Sequence, residues 1–345
     1  MTIVKDLLNW YNFNKRDLPW RKDKDPYRVW ISEIILQQTR ISKGEKYFND
    51  FINNFPTIND LAHASQEEVL KQWEGLGYYN RAINLHETSK LIVNKLNSNL
   101  PKSYDDLIKL KGIGEYTASA ISSICFNKYN SVVDGNVLRF LSRLFGIKQP
   151  IDSLKGKKKI KEISSNLIVK TENPGDFNQA MMEFGSLVCT PFPYCETCIF
   201  KSKCRSFINR EVELIPVKSK KKSKKTRYLN YIVLKDIRGR TIINQRDKKD
   251  IWFRLYQFPL IETDMLINNI YENHEFIDYI NENKLELKKI GNPYRVKHIL
   301  THQTLFISFH LIYLKEIINN GTEISNLKNY TFPVPISNFI SKYLT

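Results

Sequence analysis

Much is scarce or missing in this 345-residue chain, and each absence narrows what it can be. No run of about 18 apolar residues occurs, so no membrane-spanning helix is expected. The N-terminus, MTIVKDLLNWYNFNKR, lacks the long apolar core of a signal peptide and reads as an amphipathic helix. A cytoplasmic protein is therefore expected. Acidic residues are few: 36 Asp and Glu against 53 Lys and Arg leave a net charge of +17. That surplus favours a polyanionic partner, nucleic acid before anionic membrane, with a merely basic protein as the plain alternative. There are only five cysteines, and they are not spread as a secreted disulfide framework would be. No internal repeat is present.

The length suggests two domains. With 42% hydrophobic and 12% aromatic residues, both can have a core. Up to about residue 215 the pattern is helical and strand-like runs are scarce. Asp25 followed by Pro26 starts one helix. Ser65-Gln66-Glu67-Glu68 is a capping box that opens another. Ser103 begins a third, and helical spacing recurs through 106–124 and 158–170. Residues 216–227, PVKSKKKSKKTR, cannot pack a core and read as a solvated basic linker, able to brush against phosphates. After it come β-rich runs: YIVL (231–234), TIIN (241–244) and TLFISFHLIYL (304–314), with Gly239 as a hairpin turn between the first two. Helical spacing returns around 264–281. Residues 228–345 therefore form a smaller α+β domain.

Three features carry chemistry. Cys189, Cys195, Cys198 and Cys204 are spaced C-x5-C-x2-C-x5-C, so that four thiolates can wrap one metal centre. Zinc and a [4Fe–4S] cluster both accept four cysteines. A single CxxC with longer flanking arms favours iron–sulfur. Lys201, Lys203 and Arg205 would give this loop exposed cations suited to a phosphate backbone. Cys125, in SAISSICF, reads as a buried small hydrophobe. The second feature is LIKLKGIGEYTASAI, in which Gly112, Ile113 and Gly114 turn between two helices and leave amides free at a helix N-terminus. It is an ordinary helix corner or an anion grip. The third is a pair of carboxylates. Glu33 lies among apolar residues in a helix running through VWISEIILQQT (29–39). Asp134 follows SVV and precedes Gly135 and Asn136, where it can cap a helix.

The glycine hairpin (about 104–124), the following aspartate and the four-cysteine loop (189–204), in this order, resemble the helix-hairpin-helix DNA glycosylase superfamily. LPWR (18–21), SEIILQQT (32–39), GLGYYNRAINLH (75–86), VVDGNV (132–137) and FNQAMMEFG (177–185) closely resemble its adenine DNA glycosylase family, of MutY type. The resemblance is dense over about 1–212. Further on it is looser, through IWFRLYQFPL (251–260) and HILTHQTL (298–305), and points to a Nudix-like domain. It departs from the family at the five-residue first arm of the cysteine loop, where six is usual, and at Lys111, where proline is common. It departs again at Leu300-Thr301-His302, where Phe-Ser-His is frequent.

The resemblance implies a mainly helical catalytic region with a [4Fe–4S] cluster on the four cysteines. A C-terminal domain over 228–345 would recognise the mismatch. The enzyme would be a nucleoid-associated monomer that removes adenine opposite 8-oxoguanine or guanine in double-stranded DNA. Glu33 would be the general acid and Asp134 the stabiliser of the sugar cation, with Tyr116 and Asn136 supporting them. Trp20, Arg21 and Gln179 would hold the extruded adenine. Gln38 and Tyr78 would wedge into the duplex, Thr301 and His302 would read 8-oxoguanine, and Gly112, Ile113 and Gly114 would grip a phosphate. Burial would keep Glu33 protonated, whereas Asp134, beside a Gly-Asn turn, is expected to have a polar setting that keeps it ionised. Bifunctional relatives use a lysine just after the hairpin to form a Schiff base. Here Glu115 and Tyr116 stand there, which implies a monofunctional enzyme. Without the resemblance, Trp20 and Tyr78 read as core aromatics, and a catalytically inactive DNA-binding module stays open. A nucleotide hydrolase in the C-terminal domain is disfavoured, because the segment after Leu260 lacks the glutamate-rich REUxEE helix that would hold Mg²⁺.

Overall fold

The structure is a computed structural model describing residues 2–219 and 223–344; residues 220–222 of the basic stretch lie outside the described residues. Its contacts divide the chain into two compact units, Met1–Ala64 with Ile83–Lys221, and Ser65–Ala82 with Lys222–Thr345. No helix among the described residues is long and apolar enough to cross a membrane.

The first unit is helical. Its main elements are α1 (Ile3–Asn14), α2 (Pro26–Ile35), α3 (Glu115–Phe126), α4 (Gly135–Phe145), α5 (Leu154–Ile168) and α6 (Pro174–Leu187). The start signals are realised: Asp25 caps α2 by accepting from the Arg28 amide at 2.9 Å, with Pro26 in the first turn. Helix α2 stops sooner than the run to Thr39 suggests. Leu36 caps it, and Gln38 turns the chain at a left-handed φ of 60°. Tyr27, Val29, Trp30, Ile31, Ser32, Glu33, Ile34 and Ile35 are all buried, and only Pro26 and Arg28 in the first turn of α2 are partly exposed, so Glu33 does not sit on a solvent face. It packs on α3, where Ala118, Ser119 and Ala120 are small enough to let the backbones approach. A second core joins α1, α4, α5 and α6 through Leu7, Phe140, Leu141, Ile160, Met181 and Phe184, and Cys189, Cys198 and Cys204 pack against it.

The second unit centres on a mixed sheet of β1 (Lys225–Lys235), β2 (Leu260–Thr263), β3 (Leu287–Ile290), β4 (Tyr294–Ile299) and β5 (Gln303–Leu314). β1 and β5 pair in parallel from Lys225↔Gln303 to Lys235↔Tyr313. β2 flanks β1, while β4 and β3 run antiparallel along β5. Alternate residues feed opposite faces. Leu229, Tyr231, Val233, Leu305, Ile307 and Phe309 pack under the Val334–Tyr343 helix, and Ile232, Leu234, Ile312 and Leu314 under the His274–Glu282 helix. The helical spacing expected over 264–281 is thus a helix only from His274, and TIIN is reduced to the two-residue strand Arg240–Thr241 and the start of Asn244–Gln245. Gly239, at φ 73°, makes the expected turn, but the strand after it pairs with Thr322–Glu323 rather than with β1.

The basic stretch is not solvated throughout. Lys225–Arg227 already belong to β1, and Arg227 is buried in a fork with Glu262 (2.6 and 2.7 Å) that also reaches Asp250 at 2.6 Å. A guanidinium flanked by two carboxylates needs its own hydrogen-bond partners, and residues that cannot pack a core can still satisfy one.

Close approach of α6 to α4 is set by Gly185. A Cβ there would lie 2.7 Å from the Asn136 carbonyl oxygen and 2.8 Å from its carbon. Gly185→Ala is therefore expected to cost about 1–3 kcal/mol by overpacking, read as a lower chemical-denaturation midpoint; an unchanged midpoint would show that the helices part freely.

Candidate active site

Seven of the residues singled out from the sequence line one cavity of about 180 Å³ in the first unit: Trp20, Arg21, Glu33, Tyr116, Asp134, Asn136 and Gln179. They come from four helices and the Pro19–Arg21 turn, and only the fold brings them together. Trp20 packs edge-on against Phe48 with centroids 5.3 Å apart, so it is both a core aromatic and a cavity wall.

Burial dominates both carboxyls. It pushes Glu33 up to about 7; the nearby Tyr116 hydroxyl, which donates to Met182 Sδ at 3.3 Å, and Arg21 oppose the shift, and the nearby Asp134 charge adds to it. Asp134 is also raised by burial, which corrects the polar setting expected for it. Its ionised form is supported by donors instead: the Val137 amide to Oδ1 and the Asn136 Nδ2 to Oδ2, both at 2.7 Å. The Val137 bond is also the N-cap of α4, so the helix start that any aspartate could make here aims this carboxylate as well. Asn136 is held in turn by Arg139, whose Nη2 donates to its Oδ1 at 2.9 Å and whose Nε donates to the Cys189 carbonyl at 2.7 Å. The donors on Asp134 support its ionised form, whereas burial favours the protonated form of Glu33.

Two residues given no role from the sequence complete the cavity. Glu183 accepts from Arg16 Nε (2.7 Å), Arg16 Nη2 (2.8 Å), the Arg16 amide (3.0 Å) and Arg21 Nη2 (2.9 Å). Burial alone would raise its carboxyl, but these bonds outweigh it and hold it down at about 2. Arg21 also donates to the Arg16 carbonyl at 3.2 Å, so its guanidinium is fixed before any base arrives. MMEFG showed the same signal as Glu33, a carboxylate amid apolar residues, without a partner in view.

The remaining residues lie elsewhere. Gly112 (φ 80°) and Gly114 are exposed at the start of α3, and Ile113 is buried beneath them. A side chain at Gly112 would also meet the Asn84 Cβ at 2.7 Å. Gln38 is exposed. In the second unit Tyr78, left-handed at φ 50° and 46% exposed, hydrogen-bonds through its hydroxyl to Thr301. Thr301 and His302 sit exposed in the turn joining β4 to β5, closed by the Leu300 amide on the Gln303 carbonyl at 2.9 Å. Non-glycine residues seldom adopt left-handed backbone, and both Gln38 and Tyr78 do.

The four clustered cysteines are free thiols around one apolar cavity. Burial pushes Cys198 up to about 11, and the Cys189, Cys204 and Cys195 thiols push the same way, so all four share one environment. Among the described residues no three His, Cys, Asp or Glu side chains stand at metal-ligating distances, yet four soft thiolates converging on an apolar pocket are the donor set an iron–sulfur cluster takes. Arg143 braces the loop, donating to the Thr190, Pro191 and Ile215 carbonyls at 2.6, 3.0 and 2.7 Å. Lys203 and Arg205 are exposed as expected and Lys201 is half-buried, but two of these cations are already paired, Lys201 with Glu196 and Lys203 with Asp6.

The profile of the "HhH-GPD superfamily base excision DNA repair protein" family matches residues 31–169, and that of the "NUDIX domain" residues 230–342. An adenine DNA glycosylase of Buchnera aphidicola subsp. Baizongia pistaciae is 35% identical over 354 residues, covering 99% of this chain and 97% of that one. The chain belongs to the adenine DNA glycosylase family. The human adenine DNA glycosylase is 42% identical over 210 residues, 58% of this chain and 38% of that one. The solved structure of a thermostable thymine-DNA glycosylase aligns with a TM-score of 0.55 and 28% identity, covering 60% of this chain and 95% of that one. This chain thus joins a helix-hairpin-helix base-excision fold to a Nudix-like domain.

The Glu183 clamp makes a stability prediction. Its folded-state value of about 2 lies below the ordinary 4.5, so its contribution is complete above the ordinary range and lost as pH falls towards about 2. Glu183→Gln should destabilise the protein by about 3 kcal/mol at pH 7, with the gap to wild type narrowing between pH 4.5 and 2 in urea titrations. A pH-independent gap would contradict the ion-pair account.

Proposed function

We propose that this chain hydrolyses the N-glycosidic bond of adenine mispaired with 8-oxoguanine, or with guanine, in double-stranded DNA, acting as a monofunctional glycosylase and leaving an abasic site. The observation that carries this reading is the shared cavity, in which burial raises Glu33 to about 7 beside a donor-supported Asp134. A base must leave the stack to enter such a site. Glu33 gives its proton to a ring nitrogen of the flipped adenine, and the bond from C1′ to the base breaks with its electrons leaving on the adenine. The Asp134 carboxylate stabilises the positive charge that develops on the sugar, a division between acid and carboxylate that glycoside hydrolysis also uses. Water then adds to C1′. Tyr116 and Asn136 hold the two carboxyls, and Trp20, Arg21 and Gln179 bound the adenine.

The Tyr78–Thr301 contact supports the mismatch reading, because it joins a residue expected in the duplex to one expected on 8-oxoguanine. His302 follows Thr301 in the same turn. Gln38, strained and exposed, would enter the duplex with Tyr78. The exposed amides at Gly112–Gly114 suit a phosphate. Cys189, Cys195, Cys198 and Cys204 would hold a [4Fe–4S] cluster, whose chemistry here would be to fix the loop as a rigid surface. Tyr116 stands where a bifunctional enzyme needs a lysine, and a phenol cannot form an imine.

Glu33→Gln keeps the shape and removes the acid. Single-turnover adenine release from an A:8-oxoguanine duplex should fall by at least about 10²-fold, with duplex binding retained and no borohydride-trapped adduct in either protein. In wild type the rate should fall as pH rises through about 7, where the acid loses its proton. Undiminished release by the variant, or efficient trapping of wild type, would overturn the assignment.

A further inference from the structure

The first half of α5 reads LKGKKKIK, and Lys155, Lys157, Lys158 and Lys159 are all exposed. The helix buries its other face through Gly156, Ile160, Ser164 and Leu167. Gly156 presses so closely on the preceding segment that a Cβ would lie 2.1 Å from the Pro150 carbonyl oxygen, which pins the lysine face in place. Among the described residues Lys155, Lys158 and Lys159 form no salt bridge, and Lys161 alone on this helix has one, to Glu115 at 3.9 Å. Lys155 and Lys159 are four residues apart, where like charges repel on a helix surface. Such a cluster weakens the helix that carries it until a polyanion neutralises it.

Two connections say which polyanion. Glu115 is the first residue of α3, directly after the glycine hairpin, so Lys161 places α5 beside the proposed phosphate grip. From Lys161 back to Lys155 the helix rises about 9 Å, the axial rise of roughly three base pairs. The start of the basic stretch is strapped to the segment just before α5: the Ile151 amide donates to the Val217 carbonyl at 3.0 Å, and the Ser219 amide and hydroxyl both donate to Asp152 Oδ1 at 3.0 Å. Lys218 lies between these two anchors. Asp152 is thus occupied by the strap as well as facing Lys157, and the exposed Glu162, one turn on from Lys158 and Lys159, forms no salt bridge among the described residues.

We infer that Lys155, Lys158 and Lys159 on α5, extended by the strapped Lys218, form a second contact for the backbone of duplex DNA, flanking the hairpin and independent of the base pair being read. The inference rests on the DNA-glycosylase reading for its choice of partner. Backbone contacts position a protein on a duplex without carrying sequence information.

The test measures binding of the full chain to an undamaged duplex by fluorescence anisotropy between about 50 and 200 mM salt. The triple variant K155Q/K158Q/K159Q is compared with K284Q/K288Q/K289Q, three exposed lysines of the second unit that change the net charge equally. The slope of log affinity against log salt should flatten by about 2 to 3 in the first variant, near 0.9 per phosphate contact, and stay unchanged in the second. Single-turnover adenine release at saturating enzyme should match wild type in both. An unchanged slope in the first variant, or an equal loss in the second, would overturn the inference. Undamaged duplex requires no chemistry, so failure of the adenine-excision reading would show separately, as an absence of release by wild type.

Discussion

Keeping one carboxyl away from water is the constraint around which the first unit is arranged. Glu33 can hold a proton near neutral pH only if α2 is covered on every side around it. Trp30, Ile31, Ile34 and Ile35 supply much of that cover, and α3 supplies the rest by presenting alanines and serines that permit close contact. The same closeness brings Tyr116 to the Glu33 carboxyl. It leaves Asp134 buried as well, so the second carboxylate depends on the donors at the start of α4. A helix cap, an asparagine and an arginine that reaches the cysteine loop thereby become parts of one proton-holding arrangement.

The cavity contains a contrast that makes the physics explicit. Glu33 and Glu183 line the same space, and burial pushes both upward. One settles at about 7 and the other at about 2. The difference lies in the arginines: Arg16 and Arg21 turn their guanidiniums onto Glu183, while Glu33 receives only a phenol and the more distant field of Arg21. Setting titratable groups apart in this way is how a site separates the group that gives a proton from the group that holds charge. Spending both arginines on Glu183 leaves Glu33 free to remain neutral.

Much of this was legible in the chain before folding. An acid inside VWISEIILQQT, an aspartate ahead of Gly-Asn, a GIG turn and four close-set cysteines are local patterns, and each survives as a local structure. What stayed hidden depends on long-range pairing. Glu183 looked like one more helical residue because its partners lie more than 160 positions away. The ends of the lysine-rich stretch looked solvated because the carboxylates receiving Arg227 and the aspartate receiving Ser219 are set by the fold, not by neighbouring sequence. Asp134 looked polar because a Gly-Asn turn is polar, whereas the helices packed around it are not. Lys203 looked unpaired because nothing in the cysteine loop announces Asp6, almost 200 positions earlier, as its partner.

The central claim is that desolvation of Glu33 keeps it protonated, and the most direct measurement is carbon-13 NMR of protein labelled at its glutamate carboxyls, titrated from pH 4 to 9 in wild type and Glu33→Gln. One resonance should titrate near pH 7 in wild type and be absent from the variant. If every glutamate titrates below about pH 5, or if the transition near pH 7 persists without Glu33, the acid has been assigned to the wrong carboxyl.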